Sequence, residues 1–233
     1  MSLFRSTSIA CPACGADIAF EECDSVNADR RPDLREAILD GTFQSLPCPG
    51  CDKAVRMEPQ FNYLEVGAGH WIAVFPGRMM PDYIEVEDTI SEVFDTSYGS
   101  RALPSAREIG GGLDVRLVFG WPALVEKLVL RAAGLDDVTV ELLKLDLMRR
   151  LPQADMGPGR ALRVTSVEDG ALNFAWILTE QEVPMDGFAA DRALYDAIEV
   201  APEAWAPIRT RLTDGPFVDM PKLFIGGGRA AAE

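Results

Sequence analysis

CPACGADIAFEECDSVNADRRPDLREAILDGTFQSLPCPGC, residues 11–51, opens and closes on the same pattern, Cys11-Pro12-Ala13-Cys14 and Cys48-Pro49-Gly50-Cys51. A CxxC turn brings two thiolates together with backbone amides turned toward the sulfurs. Two such turns supply four soft ligands in a tetrahedron, the closed arrangement that Zn²⁺ takes in structural sites. Proline fixes one dihedral of each turn, and the residue after the second cysteine often needs positive φ. Gly15 meets that need readily, and Asp52 tolerates it. The reading is one structural Zn²⁺ held by Cys11, Cys14, Cys48 and Cys51. Four protein ligands leave no open position for water, so the ligand set argues against hydrolytic chemistry.

The segment between the turns, residues 15–47, is 33 residues long, against about 15–20 in common four-cysteine spacings. The excess fits an inserted helix over Asp29–Asp40, with Pro32 in its first turn, an apolar stripe of Leu34, Ile38 and Leu39, and Gly41 as its stop. Strands at Ala16–Glu22 and Thr42–Leu46 would return both turns to one end. The competing reading is a thioredoxin-type dithiol. That motif normally occurs once, at a helix N-terminus after a buried strand, and two copies flanked by short strands fit it poorly.

Upstream, residues 1–10 read as a short lead. Downstream, strands are expected at Val55–Met57, Asn62–Val66 and His70–Phe75. Tyr83, Val86, Ile90, Val93 and Phe94 recur at helical spacing opposite Glu85, Glu87, Asp88, Glu92 and Asp95. Ser97–Gly112 reads as a loop ending in three glycines, and Leu113–Phe119 as a strand. A helical hairpin follows. Its first helix, Ala123–Ala133, is preceded by Trp121-Pro122 and capped by Gly134. Its second starts at Asp136 or Asp137, runs to about Leu151, and is apolar nearly all round. Residues 153–159 read as a linker, Arg160–Val167 and Ala171–Leu178 as a hairpin about Asp169-Gly170, Gly187–Ile198 and Pro202–Leu212 as helices, and 226–233 as a mobile tail. The expected fold class is α+β: a four-Cys zinc ribbon of short antiparallel strands with an inserted helix, then the helical hairpin and a small α/β C-terminal region. The expected division is 1–150 and 151–233.

The 233 residues carry 22 Lys and Arg against 37 Asp and Glu, a net charge of −15. Nucleic-acid binding needs a basic footprint, and none is present. The acidity also disfavours anionic membranes and suits a basic protein partner. Residues 1–10 hold no apolar run of signal-peptide length, and no stretch is long and apolar enough to span a bilayer, so the expected location is the cytoplasm. Reduced thiols there favour metal over disulfide for paired CxxC turns.

Other reactive side chains read as ordinary. Cys23 lies among Glu21, Glu22 and Asp24, whose charges raise a thiol pKa and reduce reactivity. His70 is the lone histidine, without a partner motif, and reads as a strand-edge residue. Gly110–Gly112 lacks the context of a phosphate loop. The apolar helix pair, 121–151, reads as core, with an oligomer interface as its alternative. Glu65, Asp82 and Asp114 are available carboxylates that nothing singles out.

The first part of the chain resembles the CpXC-motif domain family of bacteria. The resemblance rests on Cys11-Pro12-Ala13-Cys14-Gly15, Ser25-Val26-Asn27-Ala28, Pro32-Asp33-Leu34-Arg35, Ile38-Leu39-Asp40-Gly41 and Cys48-Pro49-Gly50-Cys51. It continues in Leu124-Val125-Glu126-Lys127 and Gly134-Leu135-Asp136-Asp137, so it covers about residues 7–145. Asp52 departs from the usual glycine after the second pair. The resemblance implies a zinc-ribbon-like domain whose four cysteines are metal ligands, and no activity.

The sequence therefore favours a non-enzymatic, zinc-binding protein that acts as an interaction or assembly module for another protein. A thiol-based redox or metal sensor is the alternative. An enzyme built on carboxylates is the third reading, and no catalytic residue is named for it.

Overall fold

Five strands form the main sheet, in the order β1-β2-β5-β6-β7. In the computed structural model, which describes residues 2–150 and 159–225, they are β1 (Leu3–Ala10), β2 (Asp17–Asn27), β5 (Phe61–Glu65), β6 (His70–Phe75) and β7 (Asp114–Phe119). The β1–β2 and β5–β6 pairs are antiparallel, whereas β2–β5 and β6–β7 are parallel. Parallel neighbours need long crossovers, and both carry helices. The β2–β5 crossover contains α1 (Pro32–Leu39) and a two-stranded arm, β3 (Ser45–Pro47) with β4 (Ala54–Arg56). The β6–β7 crossover contains a 3₁₀ turn at Gly77–Asp82, α2 (Tyr83–Ser97) and α3 (Pro104–Gly110).

Alternation along β6 divides the core between two faces. Ile72 and Val74 join Val26, Tyr63 and Val118 beneath α1 and α4 (Trp121–Ala132). Trp71 and Ala73 join Leu117 and Phe119 beneath Tyr83, Val86 and Ile90 of α2. A sharp turn joins β7 to α4 at Gly120, whose φ is +84°.

The second sheet has the order β10-β9-β8, from β8 (Arg160–Glu168), β9 (Ala171–Leu178) and β10 (Val183–Asp191). With α5 (Asp137–Arg150), α6 (Arg192–Glu199) and α7 (Pro202–Leu212) it encloses another core. That core takes Val140, Leu142 and Leu143 from α5 and Leu162, Val164 and Phe174 from the second sheet.

A buried ionic network ties α4 and α5 to β8 and the C-terminal segment. Lys144 Nζ donates to Glu126 at 2.9 Å and Glu141 at 2.8 Å. Arg163 Nη1 donates to Glu126 at 3.0 Å, and its Nη2 lies 2.6 Å from Asp219. The segment after α7 returns to the main sheet, where Leu117 N donates to Pro216 O and Phe217 N donates to Glu87.

Several expectations are corrected. Residues 1–10 are largely the edge strand β1, whose exposed pattern hides its pairing from any periodicity argument. The strand expected at 16–22 runs on to Asn27, the first helix shortens to Pro32–Leu39, and the loop at 97–112 contains α3. The helix expected over Gly187–Ile198 begins only at Arg192, because residues 183–191 pair with β9. Asp191 accepts from Ala193 N and caps α6 where strand gives way to helix. Glu87 leaves the exposed acidic face and is buried against Phe217. The expected tail, 226–233, and all of the expected linker but Gly159 lie outside the described residues.

Candidate metal centre

The two CPxC turns are near copies. Gly15 N donates to Cys11 O at 2.8 Å, and Asp52 N donates to Cys48 O at 2.9 Å. Cys11 N reaches Ala16 O, and Cys48 N reaches Lys53 O. Both residues that follow the second cysteine have left-handed backbone, φ +76° at Gly15 and +58° at Asp52. The first turn stands between β1 and β2, and the second forms the tip of the β3–β4 arm.

Their sulfurs converge. The four ligand atoms lie within 4.8 Å of one another, with Cys11–Cys51 at 3.8 Å and Cys14–Cys48 at 3.6 Å. A disulfide would need about 2.05 Å. A tetrahedral site with metal–sulfur bonds of about 2.3 Å has edges of about 3.8 Å. The residues therefore fit a metal ion bound by four thiolates. Cys11 and Cys48 are buried and Cys14 is exposed. A small core of Ile18, Phe20 and Val55 packs around the buried pair. Gly50 lets the turns meet, since a Cβ there would stand 2.9 Å from the Cβ of Ala16 and 3.3 Å from Cys14 Sγ.

The electrostatics ask for a cation. The backbone amide of Ala13 leads in holding the Cys11 thiol down at about 6. The Ala16 amide also pulls Cys14 down, but the neighbouring sulfurs of Cys48 and Cys51 push it up to about 12. Crowded sulfurs resist joint ionisation. A bound divalent cation removes that conflict.

The remaining singled-out residues do not join this cluster. Cys23 is buried, its thiol donates to Ser25 O at 3.2 Å, and burial pushes its pKa up to about 11. His70 is buried on the α4 side of the main sheet, where its Nε2 accepts from Arg131 Nε at 2.8 Å. Arg131 also pairs with Asp114. Glu65 accepts from Tyr63 Oη and faces Arg35, while Asp82 is exposed at the end of the 3₁₀ turn. Asp114 lines a polar cavity of about 300 Å³ beside His70, whose lining includes neither Glu65 nor Asp82.

Sequence reasoning missed a larger cleft, of about 1050 Å³, at the foot of the β3–β4 arm. Arg56 and Met57 of the arm, Trp121 of α4, Arg163 of β8 and Glu182 of the β9–β10 turn line it. None of the four cysteines does. Its lining comes from six separate stretches of chain, so no local pattern could signal it.

Fold and site together define an α+β protein with a four-cysteine cluster able to hold a metal ion. The chain belongs to the CpXC protein family, whose model matches residues 9–144. No curated protein and no solved structure matches it.

Proposed function

We propose that the four cysteines bind one Zn²⁺ as a structural ion in a zinc-ribbon-like arrangement, and that the chain is a non-enzymatic, cytoplasmic module for protein interaction or assembly. The observation that carries this reading is the closed four-sulfur cluster. Its two sulfur–sulfur edges of 3.8 and 3.6 Å suit zinc, and thiolates fill every position a substrate or water would need. No helix among the described residues is long and apolar enough to cross a membrane.

The acidic surface supports a basic protein partner over nucleic acid. Glu85, Asp88 and Glu92 remain exposed on α2, within a chain of net charge −15. The test couples zinc content to partner binding in native lysate at moderate salt. A stoichiometric partner that is lost when Glu85, Asp88 and Glu92 become lysine, with zinc retained, supports the reading. A zinc-loaded protein with no partner contradicts its interaction half.

The sensor reading loses Cys23, which is buried with a raised pKa and is therefore a poor thiolate. It rests on the cluster alone. Mild peroxide that leaves the zinc bound and the fold unchanged would remove it.

A further inference from the structure

The β3–β4 arm links the metal centre to the cleft. Its strands are three residues each, joined by three residue pairs. A ribbon that short is not stable alone. Its tip is tied through Cys48 and Cys51, and Val55 packs into the small core around the cysteines. Its foot is held where Met57 N donates to Gln44 O at 2.8 Å and Arg56 Nε donates to Phe43 O at 3.1 Å.

At that foot Trp121 meets both sides of the cleft. Its ring N–H donates to Met57 O at 2.9 Å, and the Arg56 guanidinium lies 3.9 Å over its ring. Phe43 and Phe61 fix the ring from 5.9 and 5.6 Å. Its backbone N–H donates 2.9 Å to Glu182, which reaches across from the β9–β10 turn. Glu182 has left-handed backbone, φ +54°, and a Cβ on Gly120 would collide with its carboxylate. Among the described residues, Arg56 keeps a buried Nη2 with no hydrogen-bond partner, and it feels the Glu182 charge.

We propose that the metal centre sets the shape of this cleft through the β3–β4 arm, holding Arg56 on Trp121 and the Glu182 turn latched over the opening. Emptying the cysteine cluster frees the arm's tip, because ordering of such a turn is coupled to metal binding. Met57 O and Arg56 then leave the Trp121 ring, and the cleft wall moves while the second sheet stays folded. The inference rests on the metal-binding reading above.

The four tryptophans, Trp71, Trp121, Trp176 and Trp205, give separate ring N–H signals in a ¹⁵N spectrum of the full chain. Trp176 and Trp205 pack against the second core and serve as internal controls. Trp121→Phe assigns the signal of interest. Where that variant does not fold, Arg56→Lys assigns it by the shift it causes. Withdrawing metal with a chelator is expected to move the Trp121 signal and to speed its hydrogen exchange at least about tenfold. Trp176 and Trp205 are expected to keep their positions, and added zinc to restore Trp121. Metal that leaves while Trp121 stays fixed overturns the proposal and spares the zinc reading. So does movement of all four signals together, which is global unfolding. A chain that takes up no metal, shown by its measured metal content, overturns both.

Discussion

His70 shows how burial rewrites a side chain that looked ordinary. It heads β6, yet it is only 4% exposed. Its Nε2 accepts from Arg131, which assigns the proton to Nδ1. Burial first, then the adjacent Arg131 charge, pushes its pKa down to about 4. The unfolded chain takes up a proton near pH 6.5, whereas the folded protein waits until about 4. Stability is therefore lost as pH falls through that window, by about 3 kcal/mol at its lower end. Glu141 acts in the opposite sense, since burial raises its pKa to about 7 and the folded state gains a proton first as pH falls. The separate contributions emerge in variants. His70→Gln should flatten the loss between pH 6.5 and 4, measured by denaturant unfolding. In the wild type, the single histidine ring signal should stay unshifted from pH 8 to 5. A midpoint near 6.5 would place His70 in solvent. At the metal centre, Gly50→Ala should weaken zinc binding at least about tenfold, measured by chelator competition. Unchanged affinity would mean that the turns tolerate the added Cβ.

At the scale of elements, legibility followed periodicity. β6 and α7 lie where alternation and a leading proline put them, at His70–Phe75 and Pro202–Leu212. The hairpin about Asp169-Gly170 is present, with both residues at positive φ. The cysteine cluster was legible because CPxC turns state their own geometry. β1 and β10 were not, because both are edge strands whose residues are mostly exposed. Their partners are fixed by pairing with β2 and β9, which no local pattern reports. α5 was read as buried on most sides, but its polar positions carry the surprise. Glu141 and Lys144 are fully buried, and Lys144 joins Glu141 to Glu126, which also accepts from Arg163. Removing one member leaves uncompensated charge. Lys144→Met should destabilise the protein by about 3–5 kcal/mol in equilibrium unfolding. Combining it with Glu126→Gln and Glu141→Gln should recover part of that loss. A loss below about 1 kcal/mol for the single variant would show that water reaches the network.

For the whole molecule, the cores on either side of residue 150 are joined. α5 supplies Leu142 and Leu143 to the same cluster that takes Leu162 and Phe174, and Phe217 packs with Phe119 and Tyr83. Heating the zinc-loaded chain should therefore give one transition seen alike by near- and far-ultraviolet circular dichroism. Two separated transitions would show independent units at 1–150 and 151–233. Zinc removal should act on a smaller scale. It should loosen residues 9–20 and 45–57, which surround the cysteines. The central strands β5–β7 have their own cores. The expectations for the cysteine cluster, the arm and the cleft depend on the ion. The most direct test is the native mass and metal content of the purified chain. One zinc per chain is expected, held by four deprotonated thiols and lost in Cys48→Ser with the second core still folded. A chain that is fully folded, carries no metal and keeps all its thiols free would contradict the account.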